Sequence, residues 1–165
     1  MLNERRRAIE EIMEQLTAQG QNLFDERYTP VPGSNPVKHD VSWAQPFRQA
    51  IQPLVNEWNS SGGKDGVIYC LPTNDQGYLP CARPENSQPP TGDPKVDAIR
   101  SNYMRFIVTN KAELQHLRDC TLLGFGTFAL PGGMICFVLY VPIYVRGRHW
   151  GVLGTGLHPR ALGVE

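Results

Sequence analysis

The chain has 165 residues, with sixteen Lys plus Arg against sixteen Asp plus Glu, and 41% of its residues are hydrophobic. That length suits one domain with its own core, and the balanced charge gives no basis for nucleic acid or an anionic membrane surface as a partner. Residues 1–7 are charged and lead into no apolar stretch of signal-peptide type, so a cytoplasmic location is expected, with Cys70, Cys81, Cys120 and Cys136 as reduced thiols.

Ile9, Ile12, Met13 and Leu16 recur at helical spacing between a capping Asn3 and Gly20, which predicts an amphipathic helix over residues 3–19. From Leu23 to Asp40 the residues Pro30, Pro32, Gly33, Ser34, Asn35 and Pro36 spell turn chemistry. Ser42 and Gln45 form a capping box ahead of Phe47, Ile51, Leu54, Val55 and Trp58, one face of a second helix. A kink or break is expected at its Pro53, and Asn59-Ser60-Ser61-Gly62-Gly63 ends it. Residues 67–71 and 78–81 read as a β-hairpin, followed by a proline-rich loop over 82–93. Asp93-Pro94 opens a third helix, expected to run to about Ile107 on Val96, Ile99, Tyr103 and Phe106. Lys111, Glu113, His116 and Arg118 mark a polar connection.

Residues 121–145 contain no Asp, Glu, Lys, Arg or His. A membrane helix needs ~20 mainly apolar residues without a Pro-Gly-Gly centre, and Pro131-Gly132-Gly133 and Pro142 interrupt this run. Two buried strands near 121–130 and 134–145 are therefore expected, joined by a turn, with no membrane insertion. A last strand over 150–157 follows a hairpin at Arg146-Gly147. The sum is an α+β domain with at least five strands able to pair antiparallel.

No zinc spacing, Cys-x-x-Cys-His or phosphate-loop pattern occurs, so neither metal nor cofactor is expected. Cys81 or Cys120 beside His149 would make a thiol enzyme. None of the cysteines follows a Gly-rich elbow or helix start that would activate it, so catalysis is not expected. Arg146, Arg148, His149 and Trp150 offer two guanidinium groups, an imidazole and an indole, suited to a carboxylate or a ring. Strand alternation keeps all four from reaching one pocket. Tyr69, Tyr78, Tyr103, Tyr140 and Tyr144 add phenols that can serve core or site.

Several motifs occur in order: Phe24-Asp25-Glu26-Arg27-Tyr28, Pro32-Gly33-Ser34-Asn35-Pro36 with Lys38, and Gly77-Tyr78-Leu79-Pro80. Ser87-Gln88-Pro89-Pro90-Thr91-Gly92-Asp93 follows, then Val141-Pro142-Ile143-Tyr144-Val145-Arg146-Gly147-Arg148-His149-Trp150-Gly151. The set, spanning roughly residues 23–157, resembles the small PAS-like or Cache-like sensory domain at the C-terminal end of many bacterial methyl-accepting chemotaxis proteins. The resemblance implies an antiparallel five-stranded sheet with N-terminal helices and one crossing helix. It divides the chain into a connector or dimerisation helix over 1–22, a sensory domain over 23–158 and a tail over 159–165.

It further implies a non-enzymatic module that binds a small molecule and biases two helix arrangements for an attached chemoreceptor signalling module. A small polar or aromatic ligand is expected between the sheet and the 82–93 loop. From their places at strand ends and the loop mouth, Tyr78, Asp93, Arg105, Arg148 and Trp150 are the expected ligand-binding or gating residues. Two alternatives stay open: a homodimerising interaction module of the same fold that has lost its ligand, and a small hydrolase or thiol enzyme using Cys81 or Cys120.

Overall fold

A computed structural model of the chain describes residues 1–60, 66–129 and 135–163. The first helix, α1, spans Leu2–Ala18 and buries Ile9, Met13 and Leu16, as their spacing predicts. The strands Thr29–Pro30 (β1) and His39–Asp40 (β2) pair across the proline-rich turn, which contains a cis Asn35-Pro36 bond. Helix α2, Ala44–Trp58, buries Phe47, Ile51 and Val55 and continues through Pro53. Pro53 lies on the exposed side, where water can take the carbonyl that the missing N–H leaves free. The expected capping box does not form: Trp43 occupies the cap, and the Ser42 hydroxyl instead donates to Asp25 at 2.6 Å.

The chain continues through Val67–Asn74 (β3), Tyr78–Leu79 (β4), Pro94–Arg100 (α3), Arg105–Phe106 (β5), Lys111–Asp119 (α4), Gly124–Ala129 (β6), Ile135–Val145 (β7) and Arg148–Leu157 (β8). Asp93 caps α3 as expected, accepting the amides of Lys95 and Val96. Helix α4 occupies the segment that its charged residues mark as a polar connection. Asn110 starts it by accepting the amides of Ala112 and Glu113, and Leu117 fixes it to the sheet.

The main sheet is antiparallel with four strands in the order β3-β8-β7-β6, not five. The missing member is β4, which pairs with β5 in a separate ribbon. Asn74 causes the departure: its Oδ1 accepts the amides of Gln76 and Tyr78, Gly77 turns at φ 79°, and Leu79 then gives its carbonyl to the Met104 amide. Pro72 remains inside β3, opposite Leu153 of β8, a place that an edge strand tolerates. The turn at Pro131-Gly132-Gly133 lies outside the described residues, as do Ser61, Gly62 and Gly63. The two strands flanking Pro131 nevertheless pair antiparallel, from Gly124–Tyr140 to Ala129–Ile135. Among the described residues no helix is long and apolar enough to cross a membrane.

One sheet face meets α1 and α2. Val141, Ile143, Val145, Leu153 and Cys70 of the sheet share a core with Trp43, Phe47, Ile51 and Met13. The β7–β8 pairing steps from Ile143–Gly151 to Tyr144–His149, which leaves Trp150 as the extra residue of a β-bulge. Such a bulge re-aims a side chain, and the Trp150 ring stacks on Phe47 with centroids 5.3 Å apart. On the opposite face α4 adds a smaller cluster of Leu117, Cys120 and Val152.

Open strand edges present unpaired backbone groups, and side chains cover some of them here. Past Tyr140 the strand β7 has no β6 neighbour, so the N–H that Pro142 lacks is no loss to the ladder. Farther along the same edge Glu10 and Glu14 of α1 accept the amides of Tyr144 and Arg146 at 3.0 and 2.6 Å. On the other edge Asn59, just past α2, exchanges two hydrogen bonds with the Cys70 backbone.

Candidate functional site

The turn before β2 delivers one cation into the protein. Ser34 Oγ donates to the Val31 carbonyl at 2.7 Å and accepts the Lys38 amide at 2.9 Å, which aims the Lys38 side chain inward until the residue is only 6% exposed. Its Nζ donates to the carbonyls of Ser101 at 2.6 Å and Tyr103 at 2.8 Å. The ammonium lies 3.6 Å from the centroid of the Tyr103 ring, and the Arg48 guanidinium lies 3.7 Å from the same centroid. Burial, aided by the charges of Arg105 and Arg48, brings the Lys38 ammonium down to about 8.

This contact also ends the third helix early. The sequence predicts it to about Ile107, yet α3 stops at Arg100. The carbonyls beyond that point are committed to Lys38, and Met104 at φ 57° turns the chain into β5.

Between the turn and α3 lies a cavity of about 60 Å³, lined by Lys38, Asp97 and Ser101 and rimmed by Gly33, Ser34, Asn35, Pro36, Pro90 and Gly92. Asp97 Oδ1 accepts the Thr91 amide and hydroxyl, both at 2.7 Å, and Oδ2 accepts the Gly92 amide at 3.0 Å. These bonds, the Thr91 amide first, hold its carboxyl below the usual carboxylate range. Ser101 is 1% exposed, and its Oγ has no hydrogen-bond partner among the described residues. The Ser101 hydroxyl is therefore without a partner among the described residues, and the Lys38 ammonium has one proton left after its two carbonyl bonds, on an atom that also lies over the Tyr103 ring.

The five residues expected from sequence do not meet there. Tyr78 is fully buried, donates to the His39 carbonyl at 2.7 Å and has its phenol pushed far up by burial. Trp150 is equally internal, its indole N–H on the Leu23 carbonyl at 3.0 Å. The Trp43 ring joins the two at 5.6 and 5.7 Å, so both serve the core. Asp93 is the exposed cap of α3. Arg148 lays its guanidinium over Phe24 at 4.0 Å. Arg105, half-buried, donates to Asn102 at 2.7 Å, and it alone of the five bears on the cavity, through its charge on Lys38.

The basic hairpin thus disperses its side chains: Arg146 reaches Glu14, His149 lies against Tyr144 at 5.5 Å, and Trp150 enters the core. The proline-rich loop does form one wall, through Pro90 and Gly92. The facing wall is the 33–36 turn rather than the sheet.

All four cysteines are buried and unpaired. Burial pushes the Cys81 thiol up to about 12 and raises those of Cys120 and Cys136. Among the described residues no three His, Cys, Asp or Glu side chains converge as metal ligands would.

Fold and site together define an α+β domain with a filled aromatic core and a small polar cavity between two loops. The chain matches no family model, no curated protein and no solved structure.

Proposed function

We propose that this chain is a cytoplasmic, non-enzymatic sensory domain of the chemoreceptor type, which binds a small molecule and passes the event to an attached signalling module through α1. The observation that carries it is the unpartnered Ser101 Oγ beside the buried Lys38 ammonium, which has one proton left after its two carbonyl bonds, at a small cavity. A ligand there would tie together the 33–36 turn, the 90–92 loop and the end of α3. Such tying can bias two arrangements only if the ligand binds one of them better. The grip of α1 on the β7 edge through Glu10 and Glu14 supplies an element whose position could report that bias. Its test is a thermal-shift panel of small acids, amines and neutral polar compounds on the whole chain. A saturable rise in Tm for one class is expected; a panel with no response speaks against a sensor.

A second function, a homodimerising interaction module, draws on β6. Among the described residues, 125–129 make no backbone hydrogen bonds other than those to β7, and Leu122, Leu123 and Phe125 are 84%, 61% and 53% exposed. An uncharged edge of this kind invites pairing with another strand. Sedimentation of the wild type and of Phe125→Lys discriminates: dimers abolished by the charge favour this function, and monomers in both oppose it.

A further inference from the structure

We infer that the cavity at Lys38 is a site for a small oxyanion, a monocarboxylate of formate or acetate size, seated with its oxygens on Lys38 Nζ and Ser101 Oγ. The inference rests on the sensory function proposed above and names the chemical class of its ligand.

Chemistry fixes the sign of the ligand. The groups left over at the cavity are a positively charged N–H and a hydroxyl that can turn its hydrogen inward, and two donors call for an acceptor. The one acid at the wall, Asp97, already receives three hydrogen bonds from Thr91 and Gly92, so only about one of its roughly four lone pairs is left for a cation. Charge agrees with this. Lys38 of the turn, Arg48 of α2 and Arg105 of β5 outnumber Asp97 of α3 around the site. A desolvated anion gains a charge-assisted bond from the ammonium, stronger than a neutral one, and it relieves the mutual repulsion of the three cations.

Volume fixes the size. About 60 Å³ is far below the ~300 Å³ at which pockets for drug-sized ligands begin. An aromatic ligand, a sugar or a nucleotide is too large to be enclosed there, whereas a planar carboxylate of three or four heavy atoms is of the right order. Water alone would satisfy both donors equally well in number. The anion is distinguished by the charge around it.

Two polar side chains at the site are more than nine-tenths buried, Lys38 at 6% and Ser101 at 1% exposure, and the second is an orphan. That burial separates the site from a surface lysine that meets any passing anion.

The test uses the whole chain, with sodium acetate and sodium formate titrated at constant ionic strength against chloride, methylammonium chloride and sodium phosphate, read by Tm and by calorimetry. Acetate or formate is expected to bind saturably, and Ser101→Ala to weaken binding about tenfold while remaining folded. Above about pH 8, where Lys38 loses its proton, the affinity is expected to fall toward tenfold per pH unit. Asp97, whose carboxyl is held low by Thr91 and Gly92, stays ionised across that range. Lys38→Met, if folded, should abolish binding.

An equal response to acetate, chloride and phosphate, or one unchanged by Ser101→Ala and by pH 7 to 9, overturns the oxyanion site. Binding of methylammonium or of a neutral compound without any anion overturns it too, while leaving the sensory function standing. Silence from every solute removes both.

Discussion

Glu10 and Tyr144, 134 positions apart in sequence, are joined by a hydrogen bond of 3.0 Å in which the α1 carboxylate accepts a sheet amide. Together with Glu14 and Arg146, it makes two carboxylates stand in for the strand that β7 lacks on that side. An apolar stripe would let α1 slide along the sheet with little penalty. Charge-assisted bonds to fixed backbone amides give the helix a defined register. Glu10→Ala leaves the Tyr144 amide without its acceptor, so a loss of about 1–2 kcal/mol is expected in denaturant unfolding, with faster hydrogen exchange at Tyr144. An unaltered exchange rate would mean that water serves the amide as well.

Asp25 sets the response to acid. Its carboxylate accepts from Arg27 and from Ser42 Oγ, and these bonds, Arg27 first, hold its carboxyl well below the usual range. A depressed folded value means that this stabilisation is complete above the unfolded value of ~3.9 and is lost as pH falls below it. Between pH 5 and 2 the wild type should therefore lose Tm more steeply than Asp25→Asn. Parallel curves would show that the carboxylate is not coupled to folding.

Lys38 acts at the other end of the scale. Its folded value of about 8 lies below the unfolded ~10.4, so between these limits the unfolded chain holds more protons and stability rises with pH. Buried thiols work oppositely: an unfolded chain ionises cysteine near ~8.5 while Cys81 resists to about 12. The difference between wild type and Lys38→Met isolates the lysine, and it should move in favour of the wild type from pH 8 to 10. A difference independent of pH would contradict the burial of an ammonium at this site.

The same burial makes the cysteines inert. A thiol reacts as thiolate, and the raised values of Cys81, Cys120 and Cys136 leave little of it at neutral pH. Iodoacetamide at pH 7.5 should label these three slowly in the native chain and quickly in denaturant, as mass spectrometry of the peptides would show. Rapid native labelling of Cys81 or Cys120 would revive the thiol enzyme.

Neighbouring residues of one hairpin separate core from surface. Trp150→Ala removes a ring stacked on Phe47 and hydrogen-bonded to Leu23, with an expected loss of about 3–5 kcal/mol. Arg148→Ala removes only an exposed cation over Phe24, worth about 0.5–1 kcal/mol. Urea midpoints test both, and comparable losses would mean that the hairpin is not divided in this way.

What could be read in the sequence follows from where periodicity speaks. α1 and α2 repeat apolar residues at helical spacing over two turns or more, β6 and β7 form an uncharged run broken at Pro131-Gly132-Gly133, and β8 follows the Arg146-Gly147 turn; all stand close to where those signals put them. α4 escaped because Leu114 and Leu117 are too few to mark a stripe, although Asn110 three residues before Glu113 was a start signal. β4 left the sheet for a side-chain reason, the double acceptance by Asn74. Lys38 was visible only as one residue of a recurring motif. Its burial depends on Ser101 and Tyr103, 63 and 65 residues away, and no local pattern carries such a pairing. Trp150 and Tyr78 are aromatic residues at strand ends, which suit pocket and core alike, and only the bulge and the filled core decide between them.

The most direct measurement is an amide-resolved NMR titration of the whole chain with sodium acetate at pH 7. Amides at the cavity, Gly92 and Ser101, and amides under α1, Tyr144 and Arg146, are predicted to shift with one shared midpoint. Shifts at the cavity with Tyr144 and Arg146 unmoved, or no shifts at either place, would contradict a sensor that reports through its first helix.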